Sequence, residues 1–455
     1  MEIEFARAVS PASSRTKSWR TILALLTAVI AAALTCVLFA NPATADDDDD
    51  DDGGEYVSRQ VVVELKPAGT VGYVNRKYGT RTISKLPGGG KIYLLKTPRR
   101  ANPAKLARRI AADGRVLYAE PNLKTGTPEG SARHKARPGG TPEPSSDPTP
   151  YLSQYAVDTL NLPEAHGVNR GDGSVVAVID TGVQADHPEL AGKVIAGYDF
   201  IDGESDPADV GNGRDDDRDG TVDEMVGHGT HVAGIVALVA PEAEIMPIRA
   251  LDTEGRGTTF GIAKAIQFAT RNGADVVNLS LGSSRESDLL EDFIEEDDDD
   301  GERGPVFVAA AGNDNNALEQ HPAAEEDVVS VTAVDSEKKK SEFANFSGGD
   351  EKWVTVAAPG TDIYAPFPQD RYAMWSGTSM ATPFVAGQAA LIQSAKPMAS
   401  AECVTGIIDV TADKAALDAA NPTFVGRLGS GHADLGASTD YAANQPRPCA
   451  DTDDD

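Results

Sequence analysis

The segment VVAVIDTGV, residues 175–183, contains the first signal of the fold class. Its first five residues, Val175–Ile179, form a continuous apolar run, which is typical of a strand buried on both faces of a sheet. The run ends on Asp180. Reactive groups in parallel α/β sheets collect at the carboxyl ends of the strands. This stretch therefore predicts a buried parallel strand with an acidic side chain at the edge where chemistry occurs.

Similar apolar runs and helical segments follow along the chain. Further strands are predicted at Val276–Leu279, Val306–Ala311, Val328–Val334 and Val354–Ala357. Helices are predicted between or after them at Val232–Val239, Phe260–Arg271, Leu289–Glu296 and Ala381–Ser394. Alternation of strands and helices predicts an α/β domain with a parallel twisted sheet and helices on both faces, over residues 151–441.

A second, smaller unit precedes this domain. Residues 56–125 contain the strand patterns 57–64, 91–96 and 116–119 and a helical segment at 103–112, which together predict a small α+β domain. Residues 126–150 are rich in Pro, Gly and Ser and predict an exposed linker that proteases would cut.

Charge is divided unevenly between these parts. The chain carries 41 Lys and Arg against 71 Asp and Glu, a net charge of −30, which argues against nucleic acid as a partner. Residues 56–125 hold 15 basic and three acidic side chains, whereas residues 151–455 hold 19 basic and 55 acidic ones. These net charges of +12 and −36 predict that the two parts attract each other.

The N-terminus has the features of an export signal. Four basic residues precede the uncharged segment 21–40, and Ala43-Thr44-Ala45 provides a small-x-small cleavage pattern. We interpret residues 1–45 as a signal peptide, followed by an acidic spacer at 46–55, and expect a secreted protein, extracellular or periplasmic. The alternative is an uncleaved membrane anchor, since 20 apolar residues can span a bilayer. Residues 442–455 are interpreted as an acidic tail.

Three cysteines exclude a disulfide-dense scaffold and a four-thiolate zinc site. Removal of the signal would discard Cys36 and leave Cys403 and Cys449, an even number in an oxidising compartment. We predict that these two pair, with two free thiols as the alternative.

Four polar residues lie at predicted strand or helix ends: Asp180, His228 in GHGTHVAG, Asn313 in VFVAAAGND and Ser379 in SGTSMATPFVAG. A serine hydroxyl needs a neutral imidazole to accept its proton during attack. A carboxylate on the far nitrogen orients that imidazole and stabilises its charge. A side-chain amide and a backbone N–H at a helix start can receive the oxyanion. The set predicts a hydrolytic site for acyl transfer.

The blocks DTGV, HGTHVAG, AAGN and GTSMATPFVAG, in this order, resemble the signature blocks of the subtilisin-like serine peptidases, the subtilases. The resemblance covers about residues 151–435 and implies that Asp180 orients, His228 is general base and acid, Ser379 is the nucleophile and Asn313 stabilises the oxyanion. It implies a monomeric endopeptidase that acts on polypeptides without a catalytic cofactor. Residues 57–124, which end in YAEPNLK, resemble the family's propeptide, a folding assistant and intramolecular inhibitor.

The resemblance also implies two edges that bind an extended peptide by adding it as a strand. The substrate-binding residues it implies are Gly255, Arg256, Gly257, Ser280, Leu281 and Gly282.

The sequence departs from the family where calcium is concerned. The family's calcium loop in the helix after the catalytic His is missing, although Glu189 occupies a position that supplies a ligand in relatives. An acidic insertion instead precedes His228, with the spacing D-x-D-x-D-G-x-x-D at Asp215, Asp217, Asp219 and Asp223. This spacing resembles the start of an EF-hand-like loop without its bidentate Glu. Either this loop binds structural calcium or it is a solvated acidic loop.

The sequence therefore favours a secreted serine endopeptidase that processes its own precursor. Two other functions stay open: a catalytically idle, calcium-dependent binding module on the same fold, and a processing protease dedicated to one partner.

Overall fold

The structure is a computed structural model, and it describes residues 55–88, 90–135, 137, 139–295, 304–349 and 352–444. The predicted signal peptide, nearly all of the acidic spacer, the last residue of the helix predicted at Leu289–Glu296 and the end of the acidic tail lie outside these residues. Among the described residues, no helix is both long and apolar enough to cross a membrane.

The N-terminal unit is an antiparallel sheet with two helices on one face. Its elements are β1 (Tyr56–Leu65), α1 (Val71–Tyr78), β2 (Arg81–Lys85), β3 (Ile92–Lys96), α2 (Pro103–Ala111) and β4 (Val116–Gly126). Alternate residues of β1 point to opposite faces of the sheet. Val61 and Val63 pack into the unit's own core, whereas Val62 packs against the large domain.

The segment between the two domains is partly structured. It contains a short 3₁₀ turn at Pro128–Gly130, α3 (Ala132–Lys135) and β5 (Glu143–Ser145). The prediction of an exposed linker is wrong for part of this segment, because the side chains of Glu129 and His134 are completely buried. The strand predicted at 116–119 is also longer than expected, since β4 continues to Gly126 and pairs with the large domain.

The large domain contains ten strands and ten helices in the described ranges. The strands are β6 (Val175–Asp180), β7 (Tyr198–Asp199), β8 (Glu244–Arg249), β9 (Arg256–Thr258), β10 (Val276–Leu279), β11 (Val306–Ala310), β12 (Val328–Val334), β13 (Val356–Pro359), β14 (Ile363–Phe367) and β15 (Arg371–Trp375). The helices are α4 (Thr149–Ser153), α5 (Tyr155–Thr159), α6 (Leu162–His166), α7 (His228–Val239), α8 (Thr259–Arg271), α9 (Asp288–Glu295), α10 (Thr378–Ala395), α11 (Ala401–Thr411), α12 (Lys414–Ala420) and α13 (Leu435–Asn444).

Seven strands form one parallel sheet in the order β13-β12-β11-β10-β6-β8-β7. Both faces are covered, since Val176 and Val178 of β6 pack with α7 and α10, whereas Ala177 and Ile179 pack with α8 and α9. This confirms the predicted α/β architecture with helices on both faces. It also explains the continuous apolar run in β6, because each of the residues Val175–Ile179 packs against one of the two helix layers.

Candidate active site

Asp180 and His228 come together at the carboxyl edge of the parallel sheet. Asp180 ends β6, and His228 is the first residue of α7. Asp180 Oδ1 lies 2.8 Å from His228 Nδ1 and accepts a second hydrogen bond of 2.7 Å from the backbone N–H of Thr181. Both side chains are fully buried. The carboxylate therefore holds the imidazole in one orientation and favours a proton on Nδ1.

A second buried carboxylate, Asp209, supports the start of α7. It accepts hydrogen bonds from the backbone N–H groups of Gly227 (2.9 Å) and Thr230 (3.1 Å) and from the Thr230 hydroxyl (2.6 Å). Burial raises the pKa of Asp209 to about 6, although these hydrogen bonds oppose the rise. Sequence reasoning missed this residue, because no motif spacing links it to His228.

Ser379 and Asn313 complete the group at the same edge of the sheet. Ser379 is the second residue of α10, so its backbone N–H is free of intrahelical bonding, and Asn313 follows β11. Asn313 Oδ1 accepts hydrogen bonds from the backbone N–H (3.0 Å) and hydroxyl (2.9 Å) of Thr378. These bonds turn the Asn313 NH₂ group toward Ser379.

A segment of the chain itself lies between the two predicted peptide-binding edges. Thr125 and Gly126 of β4 pair antiparallel with Gly257 and Arg256 of β9. Gly126 also exchanges two backbone hydrogen bonds with Gly282, of 3.0 and 2.9 Å. The backbone N–H of Thr127 donates to the Gly255 carbonyl at 2.9 Å. Of the remaining predicted edge residues, Ser280 presents its carbonyl to the Ser379 hydroxyl at 3.3 Å, and Leu281 is buried in the core.

The carboxylate of Glu129 occupies the centre of this group. Its Oε2 lies 2.6 Å from Ser379 Oγ and 3.2 Å from His228 Nε2, and its Oε1 accepts a hydrogen bond of 2.7 Å from Asn313 Nδ2. No sequence signal marked this residue, because it lies in a segment with the composition of a linker.

The ion pair between Glu129 and His228 changes the titration of both groups. Burial would raise the pKa of Glu129, but hydrogen bonding and the charge of His228 outweigh burial and lower it to about 2. Burial likewise disfavours the charged imidazole, but Asp180 and Glu129 outweigh burial and raise the pKa of His228 to about 10. The imidazole is thus protonated at neutral pH while Glu129 is in place.

The acidic insertion brings three of its four predicted ligands together. One carboxylate oxygen from each of Asp215, Asp217 and Asp219 lies within 4.8 Å of the others. Asp223 instead accepts hydrogen bonds from the backbone N–H groups of Asn212 (2.9 Å) and Gly213 (2.8 Å).

The structure describes only one of the two cysteines predicted to pair. Cys403, in the first turn of α11, is buried and disulfide-bonded. Cys449 lies outside the described residues, so the predicted pairing with Cys403 stays a prediction.

Comparison with known proteins adds independent evidence. Residues 171–431 match the family model described as "Subtilase family", and residues 42–122 match the model of the fervidolysin N-terminal prodomain. Thermitase from Thermoactinomyces vulgaris is 39% identical over 58% of this chain and 91% of its own length. Subtilisin DY from Bacillus licheniformis is 39% identical over 53% of this chain and 85% of its own length.

A solved structure is similar as well. A protease from Pseudoalteromonas arctica is 32% identical, with a TM-score of 0.55, over 62% of this chain and 94% of that one.

Proposed function

This chain belongs to the subtilase family of serine peptidases, and we propose that it hydrolyses peptide bonds through Asp180, His228 and Ser379, with Asn313 donating a hydrogen bond to the oxyanion. The family and its named relatives make it a subtilisin-like serine endopeptidase with a propeptide domain.

One observation carries this assignment: a single carboxylate contacts Ser379 Oγ, His228 Nε2 and Asn313 Nδ2. A tetrahedral intermediate places its reacting carbon and its anionic oxygen within reach of the same three groups. The carboxylate of Glu129 stands in for those atoms in the precursor.

The reaction uses each group in a distinct way. Ser379 Oγ attacks the peptide carbonyl while His228 Nε2 accepts its proton, and His228 then protonates the leaving amine. Asp180 stabilises the imidazolium that forms between these steps. The negative charge on the former carbonyl oxygen is received by Asn313 Nδ2 and the backbone N–H of Ser379.

The substrate is an extended polypeptide held as an added strand. The backbone bonds that Thr125–Thr127 make to Gly255, Gly257 and Gly282 support this, because they use no side-chain chemistry of the bound segment. The proposed edges therefore accept many sequences, with selectivity left to the side-chain pockets.

We further propose that the enzyme is exported and matures by cleaving its own precursor, with residues 1–45 as signal, 56–125 as inhibitory propeptide and 151–441 as peptidase. Two side chains of β4 support the inhibitory role. Glu120 accepts hydrogen bonds from the Ser287 hydroxyl (2.7 Å) and the Asp288 N–H (3.1 Å) at the start of α9. Asn122 accepts one of 3.1 Å from the Phe260 N–H in the first turn of α8.

A structural calcium ion is proposed at Asp215, Asp217 and Asp219. Asp215 Oδ1 is buried without a hydrogen-bond partner, and the carboxylates converge as oxygen ligands of a hard cation do. Lys135 forms an ion pair of 2.8 Å with Asp219 from outside this group. The ion has no part in the proposed reaction.

The test of the catalytic proposal is covalent labelling with a fluorophosphonate. The processed wild-type enzyme should be modified at Ser379, whereas a Ser379→Ala protein should not react, with Ser376→Ala as the matched serine control. Reaction of the Ser379→Ala protein, or no reaction of the processed wild type, would contradict the proposal and would favour the idle binding module.

A further inference from the structure

The segment that crosses the active site is not aligned as a substrate. In an antiparallel ladder, alternate residues exchange both backbone hydrogen bonds, so the pair after Gly126 and Gly282 is Pro128 and Ser280. Proline has no N–H to donate. The Ser280 carbonyl oxygen instead lies 3.3 Å from Ser379 Oγ, whose hydroxyl donates to Glu129 Oε2 at 2.6 Å. The ladder with Gly282 therefore ends at Gly126, three residues before Glu129.

The chain then turns instead of continuing across the site. The backbone N–H of Gly130 donates to the Thr127 carbonyl at 3.1 Å, which closes the 3₁₀ turn Pro128–Gly130. This turn directs the side chain of Glu129, instead of a backbone carbonyl, toward Ser379. Its Oε1 also accepts a hydrogen bond of 3.4 Å from the Ser379 N–H.

Space for this carboxylate depends on a neighbouring glycine. A Cβ atom on Gly377 would lie 1.8 Å from Glu129 Oε1, which is far shorter than any real contact. The carboxylate thus fills the space beside the start of α10, and together its two oxygens engage every donor that would serve the oxyanion and the nucleophile.

The chain is also held on the far side of the site. His134 is fully buried, with its Nε2 2.7 Å from the Ser376 carbonyl oxygen. Lys135 forms ion pairs with Asp219 at 2.8 Å and Glu224 at 2.6 Å. Glu129 is therefore fixed between a ladder at Gly126 and these contacts, and the turn does not swing freely out of the site.

We propose that Gly126–Gly130 is a built-in inhibitor of the precursor, in which the Glu129 carboxylate mimics the oxyanion and Pro128 prevents alignment of the adjacent peptide bond for cleavage. This inference rests on the proposed function and extends it, because it names the inhibitory residue and places the first cut elsewhere. Maturation then requires Glu129 to leave the site before another linker bond enters.

The test compares full-length precursors that differ at Glu129. Fluorophosphonate labelling of the uncleaved band is followed over time in wild type, Glu129→Ala and Glu129→Gln, with Glu143→Ala, an exposed glutamate of the same segment, as the matched control. Loss of one charge-assisted hydrogen bond changes the equilibrium between the blocked and the open active site by about 10–100-fold. We expect labelling of the Glu129→Ala precursor to be faster by about that factor, Glu129→Gln to be intermediate and Glu143→Ala to equal wild type.

Two results would overturn the inhibitor while leaving the protease intact. One is a wild-type precursor that labels as fast as the processed enzyme. The other is equal labelling of wild-type and Glu129→Ala precursors while their processed forms react normally. Absence of Ser379-dependent labelling from every species, processed forms included, would instead overturn the proposed function and the inhibitor with it.

Sequencing the N-terminus of the processed wild-type enzyme provides a readout that does not depend on the folding of variants. If Gly126–Gly130 acts as the proposed inhibitor, the processed enzyme begins at a residue other than Glu129. A mature enzyme that begins at Glu129 would show that the Pro128–Glu129 bond is cut, which would overturn the proposal.

Discussion

The hydroxyl of Thr378 donates a hydrogen bond of 2.9 Å to Asn313 Oδ1, and the same hydroxyl accepts one of 3.1 Å from the Gly312 N–H. The residue before the nucleophile thus orients the amide that faces it. Because an amide side chain can rotate, this bond and the one of 3.0 Å from the Thr378 backbone N–H to the same oxygen decide whether NH₂ or oxygen points toward Ser379.

Replacing Thr378 with valine should lower kcat by about tenfold and leave KM nearly unchanged, because one neutral hydrogen bond that positions Asn313 is lost. Thr378→Ser should retain wild-type kcat, since the hydroxyl remains. Steady-state kinetics on a peptide substrate would check this, and an equal loss in both variants would contradict the positioning role.

Removing the amide itself should have a larger effect. In subtilisin, loss of one oxyanion donor lowers kcat by about 10²–10³, and we expect a similar fall for Asn313→Ala with little change in KM. Asn272→Ala, at an exposed helix end, is the control. A decrease below tenfold would mean that Asn313 does not face the oxyanion.

Inhibition by the propeptide should weaken as the pH rises from about 5 to about 7. Burial, together with the charge of Asp288, raises the pKa of Glu120 to about 7 against the hydrogen bonds it accepts, whereas a free propeptide exposes this carboxyl to water. Binding of the propeptide to the peptidase domain therefore takes up a proton in this pH range. As the pH rises, the affinity between the two falls by up to about tenfold per pH unit, and it levels off above pH 7.

Glu120→Gln should remove this pH dependence, because the amide does not titrate. Asp113→Asn is the control, since Asp113 pairs with Lys77 inside the propeptide unit. The inhibition constant of each propeptide would be measured from pH 5 to 8. If its dependence on pH were the same in Glu120→Gln as in wild type, another titrating group would be responsible.

Salt should slow the docking of added propeptide. Opposite net charges of +12 and −36 steer the two parts together, and the screening length falls from about 10 Å at 0.1 M to about 3 Å at 1 M salt. We expect the association rate to fall at least tenfold across this range. The association rate of an uncharged inhibitor, measured at the same two salt concentrations, corrects for effects of salt on the active site. Equal association rates of the propeptide at 0.1 M and 1 M salt would contradict electrostatic steering.

Calcium should stabilise the protein through the acidic insertion. At a concentration 100 times Kd, binding to the native state adds about 2.7 kcal/mol, which raises the melting temperature by several degrees. We expect this shift in Ser379→Ala protein and a smaller one when Asp217→Asn is added. If calcium did not change the melting temperature of the Ser379→Ala protein, the acidic insertion would be a solvated loop without a bound ion.

The fold could be predicted from local patterns, whereas parts of the site could not. The strand Val175–Asp180 and the helices that begin near His228 and Ser379 follow from apolar periodicity, because each such segment is buried within one sheet or helix layer. The position of Asp209 depends on a loop that returns to the start of α7, and no periodic signal encodes that path.

The α/β architecture and the four candidate catalytic side chains could be inferred from residue order alone, because both are encoded in short segments with characteristic patterns. Two features emerge only from the packed chain: Glu129 lies against Ser379, and Asp223 accepts hydrogen bonds from the N–H groups of Asn212 and Gly213 instead of joining the other three carboxylates. Both outcomes depend on where hydrogen-bond donors lie once the chain is packed, and residue types along the segment carry no information about those distances.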